Sequence, residues 1–147
     1  MGLLIPRGLL DAIVEHARAE HPYEACGIVA GPAGTGRPAR HVPMANTAGD
    51  RRRRFRFDPD EQLAVWRDMD ARGEDPVVVY HSHPTTAAVP SPSDIGGAWD
   101  PSVHYLIVST RDPVPEVRAY RIKGLVAAEE PVNSDPVPTC YVSEFGL

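Results

Sequence analysis

The chain has 147 residues, 42% of them hydrophobic, and a formal net charge of −5. That length makes one ordinary domain, and the acidic balance argues against nucleic acid as the main partner, since phosphate binding wants a basic surface. No stretch approaches the roughly 20 apolar residues of a membrane span, and Cys26 and Cys140 are too few and too far apart for a disulfide framework, so a reducing cytoplasm is the default location.

Met1 to Leu10 carries an apolar run broken by Pro6 and Arg7, too short for a secretory signal. Position 6 is Pro where a myristoylation site needs Ser or Thr. Pro6 to Glu20 reads as an amphipathic helix, with Leu9, Leu10, Ile13, Val14 and Ala17 at helical spacing. His21-Pro22 ends it. Ala25 to Ala30, bounded by Gly31-Pro32, predicts a buried strand. Arg40 to Ala45, with an internal proline, predicts a strand at a sheet edge. Phe55-Arg56-Phe57 alternates like a strand. Asp58 can cap a helix with Pro59 at its first position and Glu61 three residues on. That helix runs through Leu63, Val65, Trp66 and Met69 and stops near Gly73. Trp66 and Met69 read as helix core rather than as substrate contacts.

Pro76 to Tyr80 is β-branched and predicts a central strand. Pro84 to Pro92 is a loop, and a short helix runs from Ser91 or Pro92 to Trp99. Val103 to Ser109 is another apolar strand, Glu116 to Ile122 alternates, and Leu125 to Ala128 is its expected partner. From Pro131 on, the chain reads as a loosely held, proline-containing tail. The order predicts an α/β (α+β) domain with a mixed sheet flanked by helices.

The informative segment is Tyr80-His81-Ser82-His83-Pro84, followed by Ser91-Pro92-Ser93-Asp94. Residues two apart on a strand share a face, so His81 and His83 can lean onto one ion. Asp94 opens the next helix, and the proline-framed loop can fold it back over the strand end. Two imidazoles and a carboxylate leave one zinc position for water, a catalytic rather than a structural arrangement. Alone, a His-x-His pair is a weak signal and Ser91-x-x-Asp94 is a plain capping box. The combination makes the case for a site. Glu24, between the first helix and the first buried strand, is either the general base or a solvated helix-end carboxylate.

Glu24, then His81-Ser82-His83, seven residues, Ser91, two residues and Asp94 resembles the JAMM (MPN-plus) metallopeptidases. Four segments are similar to the small actinobacterial Mec peptidases of that family: residues 21–27, 77–83, 109–113 and 129–133. The resemblance covers roughly residues 4 to 133. It gives a peptidase domain over 1–133 and leaves 134–147 as a tail. It implies a JAB1/MPN fold similar to that of cytidine deaminases and one Zn2+ per chain held by His81, His83 and Asp94. It implies Glu24 as proton shuttle and Ser91 as hydrogen-bond donor to the oxyanion. It also implies the substrate, a ubiquitin-like sulfur-carrier protein whose C-terminal Gly-Gly is joined to cysteine. Hydrolysis of that amide releases cysteine for cysteine biosynthesis.

The alternatives are a non-catalytic module binding ubiquitin-like carrier tails, and a JAMM peptidase trimming other C-terminal residues from a carrier. A zinc deaminase would need His-x-Glu and Pro-Cys-x-x-Cys, which this chain lacks. A His-x-His amidohydrolase barrel needs about 250 residues. A RadC-like protein shares the metal motif, but nothing else here points to DNA. Cys26 reads as a small buried hydrophobe, with a nucleophile or fourth ligand as the rival reading. Arg51 to Arg54 either meet an acidic carrier face or form a solvated loop. Trp99 and residues 85–89 flank the motif and could shape a cleft for the tail, which could also add as a strand beside an exposed edge. The sequence leaves the oligomeric state open, a homodimer included.

Overall fold

The computed structural model describes residues 2–135. The elements run β1 (Leu3–Pro6), α1 (Arg7–Glu20), β2 (Cys26–Pro32), β3 (Arg40–Met44), α2 (Pro59–Arg72), β4 (Glu74–His83), α3 (Pro92–Gly97), β5 (His104–Ser109), β6 (Glu116–Lys123), β7 (Val126–Glu130) and β8 (Val132–Asp135). The main sheet is mixed and six-stranded, in the order β3-β2-β4-β5-β6-β7. Within this sheet only β4 and β5 pair in parallel, joined by the crossover that carries α3. As expected, β3 lies at an edge and β6 pairs with β7.

Residues 77–83 of β4 are all buried, because this central strand is covered on both faces. Val78 and Tyr80 join one apolar layer with Leu10, Ile13, Val14 and Ala17 of α1. Val79 joins the other, with Tyr105, Ile107, Tyr120 and Ile122. Strand alternation therefore puts His81 and His83 on this second face. Gly27 faces Tyr80 across the β2–β4 ladder. A Cβ there would fall 2.5 Å from the Tyr80 ring, so only glycine lets that ring lie flat against β2. On the first face, the Tyr80 hydroxyl meets His16 Nδ1 at 2.6 Å and His41 Nε2 at 2.7 Å.

Helix α2 begins and ends as its sequence dictates. The Asp58 carboxylate accepts from the Glu61 N–H at 2.9 Å, and Gly73 closes the helix in the left-handed conformation.

Four expectations are corrected. Leu3–Pro6 and Val132–Asp135 form a parallel two-stranded sheet, so residues 132–135 are not loose tail. Backbone pairing, with Leu3 and Ile5 buried beneath, holds them. Phe55-Arg56-Phe57 is no strand; one bridge, Asn46 to Phe57, is its whole ladder. In α2 only Met69 is fully buried; Leu63 is 51% exposed and Trp66 is half-buried, 6.1 Å from Trp99. The helix preceding Trp99 ends at Gly97. Residues 136–147, with Cys140, lie outside the described residues.

Candidate metal centre

Strand β4 ends on His81 and His83, and α3 begins just beyond Ser91. The seven-residue turn between them brings the two ends together. His81 Nε2, His83 Nε2 and Asp94 Oδ2 are mutually 3.1 Å apart, and they form the one metal-capable group of three found among the described residues. Three donor atoms this close together could all bind one cation at about 2.0–2.1 Å, and three protein ligands would leave a further position for water or substrate.

Each ligand atom is aimed by a neighbour. His83 Nδ1 donates to the Ala87 carbonyl at 2.8 Å, which leaves Nε2 with the lone pair. Phe55 stacks on His81 at 4.5 Å between ring centroids. The Ser91 N–H donates to Asp94 Oδ2 at 2.9 Å, while the Ser91 hydroxyl oxygen accepts from the Asp94 N–H at 3.0 Å. The capping box and the ligand group are thus one piece of structure, and the box orients the carboxylate. The Ser91 hydroxyl keeps its own hydrogen to donate elsewhere.

Electrostatics favour the metal-ready form at His81 and Asp94, whereas at His83 they favour the proton that a bound cation would displace. Burial lowers the His81 pKa despite Asp94 beside it. Burial also opposes a charge on His83, but Asp94 and the Ala87 carbonyl outweigh it and raise that pKa. Asp94 would be raised by burial, yet hydrogen bonds from His81 and His83 hold it well below the usual carboxylate range. Two imidazoles and an ionised carboxylate suit a borderline divalent ion such as zinc.

Glu24 is 3% exposed, and its Oε1 has no hydrogen-bond partner among the described residues. Burial pushes its carboxyl up to about 8; Asp94 and Asp50 reinforce the shift and His83 opposes it. It is no solvated helix-end carboxylate. Two further residues place it, Ser82 from within the sequence motif and Asn46 from outside it. Ser82 binds both groups of Ala25, its Oγ accepting from the Ala25 N–H at 2.7 Å and its N–H reaching the carbonyl at 3.0 Å. Asn46 donates to the Glu24 carbonyl at 3.0 Å. Ser82 could have been suspected from its place between two same-face histidines, which turns it to the opposite face of the sheet. Asn46 gave no signal, because its partners lie 22 and 8 residues away.

Cys26 stays with its bland reading. Burial and then neighbouring carboxylates push its thiol up to about 12, and Sγ leans on the Met44 and Ala45 carbonyls. Arg51 to Arg54 are exposed. Arg51 and Arg52 lie over the Tyr23 ring at 4.4 and 5.5 Å, and the Arg51 carbonyl accepts from the Glu24 N–H at 2.7 Å. A cavity of about 270 Å3 adjoins the ligand group. His81 and Asp94 form one side; Phe55, Trp99, Tyr105 and Ile107 give it an apolar wall.

Residues 6–123 match the family model described as prokaryotic homologs of the JAB domain. The chain is 52% identical over 133 residues to the CysO-cysteine peptidase of Mycobacterium tuberculosis, covering 89% of this chain and 90% of that protein. It is 35% identical over 103 residues to the desampylase of Haloferax volcanii, covering 67% and 74%. Its fold matches the crystal structure of a JAB1/MPN domain protein from Archaeoglobus fulgidus with a TM-score of 0.58 at 19% identity, over 91% and 98% of the two chains.

Proposed function

The chain belongs to the prokaryotic JAB-domain family and is a JAMM-type hydrolase, and from that premise we propose that it is a zinc peptidase hydrolysing a carrier–cysteine amide. The substrate in this reading is a ubiquitin-like sulfur carrier whose C-terminal Gly-Gly bears the cysteine. What supports it most is the convergence of three ligand atoms together with a buried carboxyl whose Oε1 has no partner among the described residues. The relative 52% identical is a CysO-cysteine peptidase, which favours release of a single amino acid.

In this mechanism His81, His83 and Asp94 hold one zinc per chain. Bound zinc supplies Lewis acidity and brings the pKa of water to near 7. Glu24 takes the proton of the attacking water on Oε1 and hands it to the leaving amine nitrogen. Its raised pKa keeps both protonation states accessible near neutral pH. Ser91 donates its hydroxyl hydrogen to the carbonyl oxygen as charge builds there. The extended tail runs over the apolar cavity, where Phe55 and Trp99 exclude water from the reacting amide. The exposed Arg51 to Arg54 meet the acidic face of the carrier, and the enzyme works in the cytoplasm.

Mass spectrometry of a purified carrier–cysteine adduct tests this. Incubation should remove one cysteine residue, a chelator should stop the loss, and added zinc should restore it. An adduct left intact by zinc-loaded protein would refute the substrate. Loss that continues in chelator would refute the zinc.

A further inference from the structure

The segment Pro84–Pro90 joins His83 to Ser91 and so sets the distance between the histidine and carboxylate halves of the ligand group. It is connected by no ladder of its own, and a seven-residue loop of that kind has many conformations. Ala88 at its middle is nevertheless fully buried. Both polar groups of Ala88 are taken by side chains of β6. Its N–H donates to Glu116 Oε1 at 2.8 Å, and its carbonyl accepts from the Tyr120 hydroxyl at 2.6 Å. Two residues earlier, the Thr86 carbonyl accepts from the Ser109 hydroxyl at 2.6 Å. Arg118 holds the other oxygen of Glu116 at 2.9 Å.

We propose that Tyr120 and Glu116 are positioning residues for the metal centre, gripping the Ala88 peptide from either side and thereby fixing Asp94 and Ser91 against His81 and His83. This rests on reading His81, His83 and Asp94 as zinc ligands. The Ala88 peptide is rigidly tied to the sheet. Only two residues separate it from the Ser91 cap and five from Asp94, so a shift at Ala88 carries to the carboxylate. His83 Nδ1 donates to the Ala87 carbonyl, which belongs to the same peptide unit as the Ala88 N–H held by Glu116. One short stretch of backbone therefore orients a histidine ligand and places a carboxylate ligand. Outer partners of this kind typically govern metal affinity 10- to 100-fold.

Tyr120→Phe deletes one hydroxyl and keeps the ring in the core. Glu116→Ala deletes the other grip, and Glu116→Gln keeps an oxygen for the Ala88 N–H. Zinc affinity is read by competition with a chromophoric chelator, and ligand geometry by the visible spectrum of the cobalt-substituted protein. Tyr120→Phe and Glu116→Ala should each weaken zinc at least tenfold and alter the cobalt bands, while Glu116→Gln stays close to wild type. Tyr120→Phe should also lower kcat on the carrier adduct with KM unchanged. Wild-type affinity and cobalt spectrum in Tyr120→Phe and Glu116→Ala, with only lowered melting temperatures, would overturn the proposal and leave the grip a packing device. A wild type that takes up no zinc would overturn the ligand reading beneath it, a result told apart by the unmodified chain alone.

Discussion

Replacing Glu24 with Gln should make the metal-free protein more stable while making the enzyme nearly inactive. The carboxyl is buried with Oε1 unpartnered, and its pKa stands at about 8 against an ordinary 4.5. Between those values the unfolded chain has released this proton and the native chain still holds it. The native state therefore binds more protons, and stability falls as pH rises. The penalty is absent below pH 4.5, grows through the interval and levels off above about 8. At pH 7, about 2.5 units above the ordinary value, it amounts to roughly 3 kcal/mol at about 1.4 kcal/mol per unit. Gln has the same shape and no such proton. Urea melts of chelator-treated wild type and Glu24→Gln should nearly coincide in their pH trend below pH 5. They should separate by a few kcal/mol by pH 7, with the variant higher. His83 and Asp94 are near enough to shift the Glu24 pKa, so a cation held by them would stabilise the carboxylate and the gap should shrink in zinc-loaded protein. On a carrier adduct the loaded variant should bind zinc normally and lose about 10²–10⁴ in turnover, the range for a positioned acid–base group. A stability difference that does not change with pH would refute the burial argument. Near wild-type turnover with zinc bound would refute the base.

His81→Ala, His83→Ala and Asp94→Ala should each lower zinc content by atomic emission and abolish hydrolysis; full zinc in a His81→Ala, His83→Ala double variant would remove the site. Ser91→Ala should keep zinc and lose about 2.7–4 kcal/mol of transition-state stabilisation in kcat. Because the Ser91 oxygen also caps α3, thermal melting should show a further loss of about 0.5–2 kcal/mol in stability. Changing Arg51, Arg52, Arg53 and Arg54 to Ser should raise KM at low salt and flatten its salt dependence with kcat unchanged; an unchanged KM would return the segment to a solvated loop.

What the sequence made legible was local. Asp58, Pro59 and Gly73 state where α2 begins and ends, and the structure agrees within a residue. The β-branched run before His81 states a central strand, and period two then places both histidines on one face. Contacts between distant segments were not legible. Leu3-Leu4-Ile5-Pro6 reads as a prelude to α1 because its partner is the polar Val132-Asn133-Ser134-Asp135, which has no strand pattern of its own. Leu63 and Trp66 look like core because apolar spacing marks a stripe without saying what covers it. In the fold, only Met69 of α2 is fully buried, and the start of the helix, at Pro59 and Gln62, lines the cavity beside the ligand group. Glu24 was the hardest residue to judge from spacing. Its burial depends on Ser82 and Asn46, far away in sequence, and that burial gives it its chemistry.

The pairing of β1 with β8 also has a temporal side. Leu3 meets Val132 and Ile5 meets Ser134, so almost the whole described chain lies between partners. During synthesis β1 emerges before the other described elements, and its partner β8 emerges after them. Until then Leu3 and Ile5, both buried at the end, have only α1 and the growing sheet to shield them. Such separations raise contact order and slow folding, though the entropy of closing the loop grows only with the logarithm of its length. A nascent chain halted just after β7 would hold every residue of the metal centre and still lack the strand that completes the α1 layer. Protease sensitivity of such an arrested chain should concentrate at its N-terminal end, and it should vanish when synthesis passes residue 135.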